Sequence, residues 1–171
     1  MEKVSITNLN GTGNTLAAHI HFPAHFDATQ KHAAVVVSHP GGGVKEQASG
    51  LYAKKLAEQG LIAIAYDASF QGESTGTPRQ LENPHIRTED VSAVVDYLTT
   101  LPYVDADRIG AMGICAGAGY TANAAINDRR IKAIGTVSAV NIGQMFRNGW
   151  DGSVKDVDAM PLLDMGAAAR S

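Results

Sequence analysis

The apolar residues of this chain are grouped in short runs that alternate with amphipathic stretches. The runs Ala33 to Val37 and Leu61 to Tyr66 are continuously apolar, which is typical of strands that are covered on both faces of a sheet. By contrast, the segment from Val91 to Leu98 has apolar residues at the three- and four-residue spacing of a helix. The pattern predicts strands at Val4 to Asn8, Leu16 to Phe22, Ala33 to Val37, Leu61 to Tyr66, Arg108 to Ile114 and Ile131 to Val140.

Helices are predicted in the intervals between the last four strands. For the first helix, Ser49 is the expected N-cap and Gly60 the expected terminating residue. Thr88 is the expected N-cap of the second helix, and the third helix is expected to run from about Ala116 to Asn127. The last strand, Ile131 to Val140, is expected to be buried like the two apolar runs before it.

Strands that alternate with helices across short connections indicate an α/β fold with a doubly wound, mostly parallel sheet and helices on both faces. The first two strands are separated by Gly and Asn residues, so they are expected to form an antiparallel hairpin at the N-terminus. In such a sheet, functional sites lie beyond the carboxyl ends of the parallel strands. The segments expected there are Ser38 to Gln47, Asp67 to Thr77, Gly113 to Gly117 and the region from Asn141 onward.

The composition restricts the class of protein. The chain has 171 residues, 44% of them apolar, and a formal net charge of −3. It has neither the cluster of Lys and Arg that nucleic-acid binding needs nor an apolar run as long as a membrane span. The single Cys115 excludes an intramolecular disulfide, and the polar N-terminal segment does not resemble a signal peptide. We therefore expect a cytoplasmic protein that binds neither nucleic acid nor membranes.

The segment Gly113-Ile114-Cys115-Ala116-Gly117 matches the pattern Gly-x-nucleophile-x-Gly. It lies between a predicted strand and a predicted helix, where the two glycines leave room for a sharp turn that presents the central side chain. A helix N-terminus favours the thiolate form of a cysteine, so Cys115 is the candidate nucleophile. The alternative is that Cys115 is a small, buried and inert side chain.

A second glycine-rich segment, His39-Pro40-Gly41-Gly42-Gly43, follows the first apolar run. The backbone N–H of Gly41, Gly42 or Gly43 is expected to form an oxyanion hole together with the N–H of Ala116. A plain turn is the alternative. His39 is expected to orient this loop rather than to act as a base.

Two further patterns are incomplete. His19 and His21 alternate along one strand and share a face, but a third metal ligand is not evident in the sequence. The segment Gly117 to Ala122 matches the Gly-x-Gly-x-x-Ala of dinucleotide-binding turns, but the acidic residue expected about 20 positions further on is missing. We therefore expect neither a metal nor a cofactor.

Together these features resemble the α/β-hydrolase superfamily, and within it the dienelactone hydrolase branch, over nearly the whole chain to about Val140. The match rests on the segments His39 to Gln47, Asp67 to Ser74, Asp90 to Asp105 and the turn at Cys115. The resemblance implies a small-molecule carboxylic ester or lactone as substrate and acyl transfer to Cys115. It also implies a role in the site loops for Asp67 and for Glu46, which matches a glutamate that contacts the resting thiol in that family. Capping of a helix dipole is the alternative role for Glu46.

In that superfamily the acid and the base follow the nucleophile, but every histidine of this chain, from His19 to His85, precedes Cys115. We therefore expect residues 1–140 to be the N-terminal part of a hydrolase core that lacks the C-terminal strands, and residues 141–171 to begin a cap. The exposed sheet edge predicts self-association or binding of a complementing C-terminal segment. A non-catalytic binding or interaction module that retains the sheet is the alternative function.

Overall fold

In a computed structural model, which describes residues 1–10 and 12–169, strands and helices alternate along the chain. The strands are β1 (Glu2–Thr7), β2 (Thr15–His21), β3 (His32–Ser38), β4 (Ile62–Tyr66), β5 (Val104–Ile114) and β6 (Ile131–Val137). The helices are α1 (Ala48–Glu58), α2 (Pro84–Thr100), α3 (Ala116–Asn127), α4 (Ile142–Asn148) and α5 (Asp156–Ala168).

The strands form one mixed sheet in the order β1-β2-β4-β3-β5-β6. The first two strands pair as an antiparallel hairpin, and β2 also pairs antiparallel with β4. From β4 to β6 all pairs are parallel, because a helix connects each strand to the next parallel one. The predicted α/β class, with a mostly parallel sheet and an N-terminal antiparallel hairpin, is confirmed.

Apolar side chains cover the two faces of the sheet in separate clusters. The larger cluster packs residues of α2, such as Val94 and Leu98, against Ile20, Ile64 and Ile109 of the strands. The smaller cluster lies under α1 and joins Ala53 to residues of β3 and β4. Helices therefore cover both faces, as the alternation of elements predicts.

Two of the predicted helix starts are wrong. The first helix begins at Ala48, and Ser49 lies inside it with its hydroxyl donating to the carbonyl of Val44. The second helix begins at Pro84, four residues before Thr88, because Asn83 accepts hydrogen bonds from two backbone N–H groups and the fixed φ of proline suits the first helical position. The predicted end of α1 is confirmed, since Gly60 follows it with a φ of +93°.

The prediction for β6 is also wrong in two respects. The strand ends at Val137, and the five residues from Lys132 to Thr136 are exposed. Ile134, the large apolar residue of this group, has 50% of its surface accessible to solvent. The apolar composition suggested a covered strand, but β6 pairs only with β5 and forms one edge of the sheet.

The chain divides into two compact units, residues 1–139 and 140–171. The first contains the sheet with α1 to α3, and the second contains α4 and α5. A role of the second unit as the start of a cap stays a prediction. None of the helices within the described ranges is long and apolar enough to cross a bilayer.

Candidate active site

Cys115 lies at the junction between β5 and α3, at the carboxyl end of the parallel strands. Its backbone has a φ of +55° and a ψ of −120°, a conformation that residues other than glycine rarely adopt. Two hydrogen bonds hold the turn, from the N–H of Cys115 to the carbonyl of Val137 and from the N–H of Ala118 to the carbonyl of Cys115. The strained backbone therefore turns sharply and places the side chain of Cys115 at its tip.

The glycines on either side of Cys115 are required by the close packing of this turn. A Cβ atom at Gly113 would overlap the backbone of Gly117 and Ala118. A Cβ atom at Gly117 would overlap the carbonyl oxygen of His39 and lie 2.7 Å from that of Ser38. Gly117 thus lets the start of α3 pack directly against the loop that follows β3.

The same loop brings further backbone donors to the start of α3. A Cβ atom at Gly41 would lie 3.6 Å from the Cβ of Ala116, so the two backbones are neighbours. The N–H of Ala116 is in the first turn of α3, where no intrahelical acceptor is available. Gly42 has a φ of +64°, and a Cβ atom there would meet nothing within 4 Å, whereas the N–H of Gly43 donates to the carbonyl of Pro40 at 3.0 Å. The N–H of Gly43 therefore already has a carbonyl partner, and an oxyanion hole formed by Ala116 with Gly41 or Gly42 stays a prediction.

His39 is fully buried and both of its ring nitrogens have partners. Nδ1 lies 2.6 Å from the carbonyl oxygen of Pro40, and Nε2 lies 3.1 Å from the backbone nitrogen of Ala68. Because a carbonyl only accepts and an N–H only donates, the ring is neutral with its proton on Nδ1. Burial, reinforced by the positive charge of Arg87, lowers the pKa of His39 to about 4. The ring thus connects the glycine-rich loop to the end of β4.

A buried arginine, which the sequence analysis did not single out, lies behind this loop. Arg87 on α2 donates from Nη2 to the carbonyl of His39 at 2.8 Å and from Nη1 to the carboxylate of Glu82 at 2.8 and 3.1 Å. Its guanidinium carbon lies 4.9 Å from the ring centroid of Tyr120, whose hydroxyl donates to Glu82 at 2.9 Å. The helical spacing of Arg87 with the buried Val91 and Val94 is the signal that could have revealed its burial.

Asp67 and Glu46 belong to a second ionic cluster, which is centred on Lys45. The buried Asp67 accepts from the backbone N–H and the Nζ of Lys45, both at 2.7 Å, and from the backbone N–H of Glu73 at 2.8 Å. The Nζ of Lys45 also lies 2.8 Å from Glu46 and 2.6 Å from Glu73. Desolvation lowers the pKa of Lys45, but the hydrogen bonds to these carboxylates outweigh it and raise the pKa above its usual range.

The ionic cluster fixes the loop after Gly43 to the end of β4, because its members come from both segments. Glu46 is half exposed and directed to Lys45, and Cys115 is a free thiol of intermediate exposure. The role expected for Glu46 at the resting thiol therefore stays a prediction.

His19 and His21 each have an Nε2 atom that is buried without a hydrogen-bond partner. Burial lowers the pKa of both side chains. The Nε2 of His19 lies 3.9 Å from Glu46. Within the described residues, no group of three or more His, Cys, Asp and Glu side chains is arranged to hold a metal ion.

The sheet order, the strained turn at Cys115 and the glycine-rich loop beside it define an α/β-hydrolase fold. Residues 20–139 match the dienelactone hydrolase family. The chain belongs to this family.

Three proteins illustrate the relationship. The uncharacterized protein YcjY of Escherichia coli (strain K12) is 70% identical over 169 residues, which are 99% of this chain and 55% of the relative. The crystal structure of hypothetical protein PA2218 from Pseudomonas aeruginosa superposes with a TM-score of 0.91 at 38% identity, covering 99% of this chain and 52% of that one. The polyketide transferase claH of Penicillium crustosum is 33% identical over 139 residues, covering 81% of this chain and 44% of the relative. The chain thus spans about half the length of the relatives it matches.

Proposed function

We propose that this chain carries the nucleophile and the oxyanion hole of a hydrolase that cleaves a small carboxylic ester or lactone. The observation that supports this most is the position of Cys115 on a strained turn, directly before Ala116 and beside the loop that contains Gly41. Strain at a functional residue persists only where the surrounding structure enforces it. An inert buried thiol would need neither this turn nor the neighbouring donors.

In the proposed reaction, the sulfur of Cys115 attacks the carbonyl carbon of the substrate and forms a tetrahedral intermediate. The negative oxygen of that intermediate accepts hydrogen bonds from Ala116 and from Gly41 or Gly42. The carbon–oxygen bond to the leaving group then breaks, and the leaving oxygen takes up the proton that the thiol of Cys115 lost, which yields a thioester on Cys115 and an alcohol group. Water attacks the thioester, releases the carboxylic acid and restores the thiol.

A base for the first step is not evident in this sequence. All six histidines precede Cys115, and the ring nitrogens of His39 are occupied by Pro40 and Ala68. We propose that a complementing C-terminal segment or a second copy of the chain supplies the base and the acid. The unpaired edge of β6 is the surface that we propose for this association.

An activated aryl ester tests the nucleophile without that base, because its leaving group departs as a stable anion and only the thiolate is required. We expect 4-nitrophenyl acetate to give a burst of 4-nitrophenolate and a protein mass increased by one acetyl group. Cys115→Ala should abolish both signals, and prior alkylation of this single cysteine should do the same. Ser5→Ala, an exposed change on β1, is the matched control and should retain both.

Identical traces for the wild type and Cys115→Ala would contradict the proposal and favour the alternative, a non-catalytic binding module. Transfer to an acceptor other than water, which the name of the relative claH suggests for that protein, shares the same thioester on Cys115. A burst without slow turnover in water, together with turnover when a thiol or alcohol is added, would favour transfer over hydrolysis.

A further inference from the structure

The carbonyl group of His39 lies where the two halves of the proposed oxyanion hole meet. On one side, the start of α3 approaches so closely that a Cβ atom at Gly117 would overlap this carbonyl oxygen. On the other side, Nη2 of Arg87 donates to the same oxygen at 2.8 Å. His39 immediately precedes Pro40 and Gly41, so a shift of its carbonyl would move the loop donors relative to Ala116.

Arg87 is itself held in one orientation. The residue is 1% exposed, and Glu82 accepts both hydrogen bonds of its Nη1 group at 2.8 and 3.1 Å. The ring of Tyr120 on α3 lies under the guanidinium, and its hydroxyl donates to the same carboxylate. Arg87 thus connects α2 to α3 and to the glycine-rich loop. A planar guanidinium suits this position because it donates in several fixed directions at once.

We propose that Arg87 is a positioning residue that sets the distance between the loop donors, Gly41 and Gly42, and the helix donor, Ala116. Glu82 and Tyr120 hold Arg87 in its orientation, so they affect the loop donors only through Arg87. This inference rests on the proposed function, because it assumes that these N–H groups stabilise an oxyanion. Such donors must lie about 2.7–3.1 Å from the developing charge, so small displacements of the loop reduce their effect.

A purely structural role for Arg87 makes a different prediction. Two reactions of the Cys115 sulfur distinguish the positioning role from the structural one. Acylation by 4-nitrophenyl acetate passes through an oxyanion, whereas alkylation by iodoacetamide displaces iodide from carbon and forms none. A variant that only loosens the turn at Cys115 would change both rates. A variant that displaces the oxyanion donors would slow acylation alone.

We expect Arg87→Met to reduce the acylation rate constant by about 10-fold to 100-fold, somewhat less than the ~10²- to 10³-fold loss that follows removal of a whole donor. Arg87→Lys retains a single donor and should fall between Arg87→Met and the wild type. The alkylation rate should stay within about two-fold of the wild type in both, since the thiol and its turn are unchanged. Arg108→Met is the matched control, because Arg108 also contacts a carboxylate and a backbone carbonyl, in the N-terminal half of β5 and away from Cys115.

If Arg87→Met fails to fold, the acylation and alkylation rates are compared in Tyr120→Phe and Glu82→Gln instead. Smaller losses of acylation are expected in these two variants. Equal acylation in the wild type and all these variants would overturn the inference, and so would parallel losses of acylation and alkylation. A wild-type chain that is alkylated but never acylated would refute the proposed function itself and the inference with it. A wild type that is acylated normally, with unaffected Arg87 variants, would refute the inference alone.

Discussion

His39 is a histidine that the fold keeps neutral. Its buried ring donates to Pro40 and accepts from Ala68, and a proton on Nε2 would break the second bond and place a charge near Arg87. Because the pKa of the folded ring is only about 4, acidic solution lowers the free energy of unfolding. The ring of His39 acts in the structure as a fixed connection between the glycine-rich loop and the end of β4.

The stability of the protein should consequently fall as the pH falls from about 7 to 5. An unfolded histidine binds a proton near pH 6.5 while the folded His39 does not until about pH 4, so protons favour the unfolded state in this window. The expected contribution of His39 is about 2 kcal/mol of unfolding free energy between pH 7 and pH 5.

Urea unfolding at several pH values measures this contribution. His39→Gln, which keeps a donor and an acceptor but cannot be charged, should show a smaller loss between pH 7 and pH 5 than the wild type. His85→Gln, at the exposed start of α2, is the matched control and should behave like the wild type. Equal pH dependence in the wild type and His39→Gln would contradict the interpretation.

At the scale of elements, the turn between β5 and α3 depends on glycine for steric reasons. Gly117 is the point at which α3 approaches the loop after β3, and the atoms that a side chain would meet there belong to the backbone. Backbone atoms yield less readily than the end of a flexible side chain. By contrast, Gly135 on β6 has ordinary room, since a Cβ atom there would lie 3.6 Å from the side chain of Met112.

Gly117→Ala should therefore destabilise the protein by about 3 kcal/mol, as expected for a change that forces the backbone to move. Gly135→Ala should change the stability by less than about 0.5 kcal/mol. Chemical denaturation of the two variants provides the comparison. Similar small effects in both would show that the start of α3 can move away from the loop at little cost.

These elements also show which features the sequence reveals. The turn at Cys115 was predictable because its requirements are local, namely two glycines within five residues at a strand–helix boundary. The contacts of Arg87 and Lys45 were not, because their partners, His39 and Asp67, are distant in the sequence. Periodicity places a side chain on a face of a helix, but it does not say which buried polar groups will meet there.

For the whole molecule, the two edges of the sheet differ. The edge formed by β1 begins with the charged residues Glu2 and Lys3, which discourage pairing with another strand. The edge formed by β6 has one lysine in seven residues and exposes Ile134. An edge strand of this composition is a surface on which a further strand can add.

We therefore expect the chain to self-associate in solution through β6. Ile134→Lys should shift sedimentation velocity profiles toward the monomer, because a charge on this strand opposes pairing. Thr7→Lys, on the exposed side of β1, is the matched control and should leave the distribution unchanged. A monodisperse wild-type monomer at high concentration would contradict the prediction.

The conformation of Cys115 has a consequence for how this protein changes over evolutionary time. A φ of +55° at a residue with a side chain costs about 1–3 kcal/mol, and glycine would release most of that strain. Selection for stability alone therefore favours glycine at this position, and the proposed chemistry of the thiol is a reason for a side chain to be kept here. The proposed function thus predicts that homologues which catalyse this reaction keep a nucleophilic side chain, and not glycine, at this position.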